Sequence, residues 1–299
     1  MQAFQKPNIT FHPSTQNFSE TKFSIVIPTW NNLAMLQLCV DSILKNSKYK
    51  HQIIIHVNEG TDGTFEWIKT QDFDYTYSPE NAGVCYALNA MVTLAQTDYI
   101  LFLNDDMYVC PSWDVALTNE VHKQINQLWY FSGTMIEPKY SSNKCAISPY
   151  DFGTSPENFK EAKLLNFIEK INTPDWFGAS WPPSLVHKEM FLKVGGFSEE
   201  FSPGMYSDPD FSMKLWNEGV RNFKGIGNSL VYHFQSKSTG RVQRNDGRKQ
   251  FAAKWKIPSS YFYKNILLLG DIFDDNQSLK TKKDIGFYWA KLRAWWIAK

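Results

Sequence analysis

The chain has 299 residues, enough for one large domain with appendages. Lys and Arg number 31 against 30 for Asp and Glu, which argues against a nucleic-acid binder working through a broad basic face. The four cysteines, Cys39, Cys85, Cys110 and Cys145, include no Cys-x-x-Cys pair, so a zinc site or a redox dithiol has little support. Cys39 and Cys85 fall in apolar helical patterns and read as core thiols. Without a basic-then-apolar signal segment or an apolar run long enough to span a bilayer, the chain is expected to be cytoplasmic.

Residues 1–20 are polar and without period, and read as an extension. Residues 23–28 (FSIVIP) form the apolar run of a strand buried on both faces. Asn31 and Asn32 follow as cap candidates for a helix whose Leu33, Leu36, Val40, Ile43 and Leu44 share one face. Residues 52–57 (QIIIHV) predict a second buried strand, ending in a turn where Thr61 or Asp62 can cap a helix carrying Phe65 and Ile68. A helix over 82–96 and a strand over 99–104 continue the alternation, which implies βαβ units and a largely parallel sheet. Such sheets bind ligands beyond the carboxyl ends of their strands, and that selects the loops 28–32, 58–64 and 104–107. Further on, a strand over 129–136, a loop over 141–157 and helices over 161–171, 187–194 and 209–218 are expected, with a last strand over 228–234.

Three clusters could carry chemistry. Asn104-Asp105-Asp106 follows a buried strand directly, and adjacent carboxylates repel unless water or a cation separates them. A capping role for the helix near Trp113 would employ one carboxylate more easily than two. Ser207-Asp208-Pro209-Asp210 opens a helix, where acidic residues and Pro are also ordinary cap features. His233 ends an apolar strand, a place where a lone histidine is more often a satisfied core residue than a ligand.

Taken in order, the segments SIVIPTWNN, VNEGTDGT, ENAGVCYALN, LFLNDDM, VGGFSEEFSPGMYSDPDFSMKLWNEG and VYHFQS resemble the family 2 glycosyltransferases, inverting enzymes of the GT-A fold. The resemblance covers about residues 22 to 238. It implies a Rossmann-like α/β domain with a mostly parallel central sheet flanked by helices, over 21–265, preceded by the extension 1–20 and followed by a tail, 266–299. It also implies a nucleotide-sugar donor, a glycan or glycolipid acceptor and a divalent cation, Mn²⁺ or Mg²⁺. Pro28, Thr29 and Asn31 would line the nucleoside pocket, and Asn58 and Glu59 match the base-recognising turn, where the usual pair is Asp-Asp. Asn81, Gly83 and Asn89 match the stretch that approaches the donor nucleotide. The family's Asp-x-Asp motif falls on Asn104-x-Asp106, making Asp106 the first metal ligand, with Asp105 nearby and His233 completing the set. Asp208 matches the general base, with Ser207 in place of the customary Glu. Trp181 and Asp210 are assigned to the acceptor side.

Residues 285–299 (IGFYWAKLRAWWIAK) combine aromatic and basic side chains in helical spacing. Such a helix can dock on the protein's own body or lie at a membrane surface, so peripheral contact at the inner face of the membrane stays open. Two competing readings are weighed. A sugar-nucleotide-forming nucleotidyltransferase would need a Gly-rich phosphate loop after the first strand, and PTWNN is not one. A carbohydrate-binding or catalytically impaired partner subunit remains an alternative through Ser207 and the Asn58-Glu59 turn.

Overall fold

The computed structural model describes residues 6–16, 18–236 and 245–299. After a short strand β1 (Thr10–His12), the chain alternates β2 (Ser24–Trp30), α1 (Leu33–Asn46), β3 (Gln52–Asn58), α2 (Thr64–Ile68), β4 (Asp74–Ser78), α3 (Gly83–Val92) and β5 (Tyr99–Phe102). Then come β6 (Met107–Val109), α4 (Trp113–His122), β7 (Trp129–Ile136), β8 (Ala146–Ile147), α5 (Glu161–Ile168), β9 (Trp176–Phe177), β10 (Ser184–His187) and α6 (Lys188–Lys193). The last part holds α7 (Ser207–Asn217), β11 (Asn222–His233), α8 (Gly247–Trp255), α9 (Ser259–Tyr261) and α10 (Ile285–Ala298).

One sheet carries these strands in the order β1-β4-β3-β2-β5-β10-β7-β11-β6. β4, β3, β2 and β5 run parallel, as the alternating pattern predicts. From β2 the chain winds outward through β3 to β4, then returns to place β5 on the other side of β2. That reversal opens a crevice at the carboxyl ends of β2 and β5. Beyond β5 the sheet is mixed: β10 is antiparallel to β5 and β7, β11 is parallel to β7, and β6 closes the edge antiparallel to β11. Residues 1–20, read as an extension, contribute the edge strand β1, antiparallel to β4 and largely exposed.

The period-2 alternation of the strands sorts side chains between two core layers. Val26, Ile54 and Phe102 face α3 and α6, meeting Leu88, Met91 and Phe191. Ile25, Ile27, Ile53 and Ile55 face the opposite layer, with Leu36 and Val40 of α1 and Leu117 of α4. All seven residues of β3 are buried, Ile53, Ile54, Ile55 and Val57 in apolar layers and the polar Gln52, His56 and Asn58 in internal hydrogen bonds. All four cysteines are buried and free.

Two expected boundaries shift for local reasons. The helix expected over 82–96 stops at Val92, where Thr93, Leu94 and Ala95 donate to carbonyls three residues back and tighten the turn. Gln52 holds the released segment, donating through Nε2 to Leu94 O and accepting through Oε1 from Gln96 N. The strand expected over 228–234 begins at Asn222 and crosses Gly225 and Gly227, residues that pattern reading treats as breakers. A Cβ on Gly225 would sit 1.8 Å from the Trp176 ring, so glycine here makes room for that indole.

Helix α1 lacks the expected side-chain cap. Asn32 holds the N-cap position without a side-chain hydrogen bond, and the Leu33 N–H instead donates to Asp62 Oδ2 at 2.8 Å. Asp62 Oδ1 meanwhile accepts from the N–H and hydroxyl of Thr64, so one carboxylate serves the starts of α1 and α2 together. Replacing Asp62 with Ala strips a cap from both helices and should lower unfolding free energy by about 1–2 kcal/mol. Urea denaturation of the two chains measures this, and coincident midpoints would remove the double-cap assignment.

Candidate functional site

The loops after β2, β3 and β5, the start of α7 and the end of β11 enclose a cavity of about 620 Å³. Pro28, Thr29 and Asn58 line one side, with Asn81 and Gly83 beside them. Asn104, Asp105 and Asp106 form an adjoining wall with His233. Ser207, Asp208 and Trp181 also line it. Most of the residues singled out in the sequence therefore meet at one crevice.

Asp106 is the most tightly held of them. Its Oδ2 accepts from Ser236 N at 2.8 Å and Ser236 Oγ at 3.0 Å, and lies 3.5 Å from His233 Nε2. Burial raises the Asp106 carboxyl, but His233 and Ser236 outweigh it and hold the group below the ordinary Asp value. His233 Nδ1 sits 3.0 Å from Glu137 Oε1. Burial disfavours the imidazolium, yet the bonds and charges of Asp106 and Glu137 push His233 up to about 10. Asp105 is fixed differently, accepting from Thr29 Oγ1 at 2.7 Å through Oδ2.

Asp208 contrasts with these. It lies one residue into α7 and makes no hydrogen bond among the described residues, so it is not the cap that its position suggested. Its side chain is partly accessible from the cavity but crowded by the surrounding wall, and burial pushes it up to about 7. Ser207 donates to Gly204 O at 2.8 Å and so spends its hydroxyl on the preceding turn.

Several expected contacts turn out to be internal. Asn31 Nδ2 donates to Glu59 Oε2 at 3.1 Å, and neither residue lines the cavity. Asn58 faces the cavity but donates to Thr29 O and accepts from Ala82 N, tying the ends of β2 and β3 to the start of α3. Gly83, at φ +74°, is required by the backbone of Pro203, whose Cα would lie 2.7 Å from an added Cβ; the close approach is to protein. Asn89 lies outside the cavity and grips both backbone polar groups of Phe197. Asp210 is fully buried and turned away, accepting from Trp255 Nε1 at 2.8 Å and pairing with Lys254 at 2.9 Å.

Glu137 and Ser236 were not singled out in the sequence, although both line the cavity. Glu137 follows β7 directly, and extending the strand-end rule to the second half of the sheet finds it. Its Oε2 is buried without a hydrogen-bond partner among the described residues.

Among the described residues no three His, Cys, Asp or Glu side chains gather as a complete cation site would require. Asp106 and His233 present an oxygen and a nitrogen 3.5 Å apart at the cavity wall. That partial set fits a hard divalent cation, which keeps waters and takes substrate phosphates beside one or two protein ligands.

A doubly wound sheet with an acidic turn and a helix-borne carboxyl on one crevice defines a GT-A type α/β protein. The glycosyl transferase family 2 model matches residues 24–178, and the chain belongs to that family. It is 24% identical over 230 residues to the O-antigen biosynthesis protein RfbC of Myxococcus xanthus, which covers 71% of this chain and 17% of that one. An uncharacterized glycosyltransferase of Haemophilus influenzae is 24% identical over 213 residues, covering 70% of this chain and 67% of that one. Among solved structures, S. aureus TarS 1-349 in complex with UDP-GlcNAc is similar with a TM-score of 0.55 at 13% identity, over 78% of this chain and 66% of that one. GalNAc-T7 with UDP, GalNAc and Mn²⁺ gives 0.53 at 15% identity, over 77% and 45%. These structural likenesses establish the fold.

Asp208 carries a stability consequence. Its folded-state value lies above the ordinary 3.8, so the unfolded chain releases this proton first as pH rises. The carboxyl is neutral in both states below about pH 4, and its cost to the fold grows between about pH 4 and 7 and is complete above that. Asp208→Asn removes the cost. Its thermal midpoint should exceed the native chain's at about pH 8 by at least about 2 °C, with the gap closing toward about pH 4. Equal midpoints at the higher pH would contradict the raised carboxyl.

Proposed function

We propose that the chain is an inverting, metal-assisted glycosyltransferase that moves a sugar from a nucleoside-diphosphate donor to a hydroxyl of a glycan or glycolipid. The observation that carries this reading is the meeting of Asn104-Asp105-Asp106 with Asp208, pushed up to about 7, on one cavity at the switch point of the sheet. Pro28, Thr29 and Asn58 form the nucleoside side, braced by the Asn31–Glu59 pair, with Asn81 and Gly83 on the adjoining wall. Asn104 can hydrogen-bond a sugar hydroxyl without adding charge. Trp181 offers an aromatic face to the acceptor. Asp210 serves α7 through Lys254 and Trp255 instead of the acceptor.

Asp106 and His233, with Asp105 beside them, would hold Mn²⁺ or Mg²⁺, which when bound supplies Lewis-acid stabilisation of diphosphate charge. Asp208 takes the proton of the acceptor hydroxyl as that oxygen bonds to the anomeric carbon. The bond from that carbon to the diphosphate oxygen breaks on the opposite side, its electron pair stays with the diphosphate, and configuration inverts. A carboxyl near 7 is matched to this task, because its base form is abundant at neutral pH and still basic enough to accept a proton.

UDP-GlcNAc in the TarS structure and UDP, GalNAc and Mn²⁺ in the GalNAc-T7 structure make uridine donors the first to test. The RfbC likeness points to surface polysaccharide assembly as the setting.

Asp208→Asn should keep its affinity for the nucleoside diphosphate while losing about 10²–10⁴-fold in transfer rate. Transfer at the native rate would remove Asp208 from the base role. Asp106→Ala should erase the gain in nucleotide affinity that Mn²⁺ gives the native chain, and a gain of unchanged size would remove Asp106 as a ligand.

A further inference from the structure

Helix α10 rests on α8 through its smallest residues. Ala290 and Ala294 are buried, one turn apart, on the side that meets α8. Asp284 caps the helix by accepting from Phe287 N at 2.9 Å. The opposite side carries Ile285, Trp289, Leu292 and Trp296, spaced i, i+4, i+7 and i+11, which stacks them in one line along the helix. Their exposures are 76, 66, 46 and 66%, and Tyr288 at 61% and Trp295 at 51% widen the stripe on one shoulder. An ordinary surface helix turns such a stripe inward; α10 turns it out.

The chemistry around the stripe selects its occupant. Residues 280–299 contain six basic side chains, Lys280, Lys282, Lys283, Lys291, Arg293 and Lys299, against the single acid Asp284, a net charge of 6 − 1 = +5. A second copy would bring the same positive face toward this one and be repelled. An anionic bilayer offers the complementary charge together with an apolar phase for the stripe. Tryptophan and tyrosine, which prefer the boundary between headgroups and acyl chains, dominate the exposed apolar area. No helix among the described residues is long and apolar enough to cross a membrane.

We propose that the outward face of α10 is a docking surface for an anionic lipid bilayer. Trp289 and Trp296 enter the boundary region, while Lys291, Arg293, Lys299 and the preceding Lys282 and Lys283 meet lipid phosphates. The face is already formed and fixed on α8, so binding does not have to order it. This surface stands independently of the catalytic assignment, because none of its residues lines the cavity.

The test is sedimentation of the full chain with vesicles of phosphatidylcholine alone or with about 30% phosphatidylglycerol. The native chain should partition onto the anionic vesicles, with blue-shifted tryptophan emission, and release at high salt. Trp289→Ser with Trp296→Ser should lower partitioning at least about tenfold, and Lys291→Gln with Arg293→Gln should weaken it on anionic vesicles only. The thermal midpoint and nucleotide affinity of both variants should match the native chain's, since these side chains point away from α8 and the cavity. Failure of the native chain to bind anionic vesicles, or equal partitioning of native and tryptophan-substituted chains, overturns the proposal. So does lipid-independent dimerisation abolished by the same tryptophan substitutions, which would assign the face to a second copy.

Discussion

Burying a carboxylate costs several kcal/mol unless its charge and lone pairs are met, and the site of this protein is organised around meeting that cost at Asp106. His233 and the backbone and hydroxyl of Ser236 converge on one oxygen of the side chain, while Asp106 O accepts from Phe234 N. The antiparallel pairing of β6 with β11, His233 opposite Met107, brings these partners into place. The turn after β5 is thereby fastened to the far end of β11, across a sheet in which β10 and β7 intervene. The crevice between the two halves of the sheet keeps its shape because this polar joint spans it.

Around the joint, cavity residues divide into those already committed to protein partners and those still available to a ligand. Asn58 and Gly83 belong to the first group, holding strand ends and loop backbones at contact distance. Asn31 and Glu59 bind each other, and Asp62 fixes the starts of two helices behind the same loops. Asp208 belongs to the second group, with no hydrogen bond among the described residues, and so does the unpartnered Oε2 of Glu137. A rigid first group holds the second in position without ligand-driven folding, which is what preorganised catalysis requires. His233, charged between Asp106 and Glu137, is the part of the wall that must change protonation if it is to ligate a cation.

The parallel half of the fold was legible because its strands are short apolar runs separated by helices, and β2, β3 and β5 lie where the pattern puts them. The strand-end rule then pointed to the right loops before any motif was named. In the mixed half β7 lies over 129–136 as expected, and what the pattern could not carry was β6 and the first part of β11. β6 is three residues long, and β11 runs through Gly225 and Gly227, whose purposes, room for the Trp176 ring and for the backbone of Thr173 and Pro174, exist only in three dimensions. For the same reason, Asn89 and Asp210 read as ligand contacts although each is occupied by a neighbour distant in sequence. Glu137 has no signal in the sequence beyond its place just after β7, and its meaning comes from His233, 96 positions away.

The acidic turn, fastened to His233 and Ser236, is proposed to anchor a nucleoside diphosphate through a divalent cation. Calorimetric titration of the full chain with UDP and the other nucleoside diphosphates, in Mn²⁺ and again in excess chelator, tests it most directly. The account predicts one site per chain and an affinity at least about tenfold weaker without the cation, the effect expected when a metal bridges protein and phosphate. Binding of equal strength in chelator, or no binding of any nucleoside diphosphate, would contradict it.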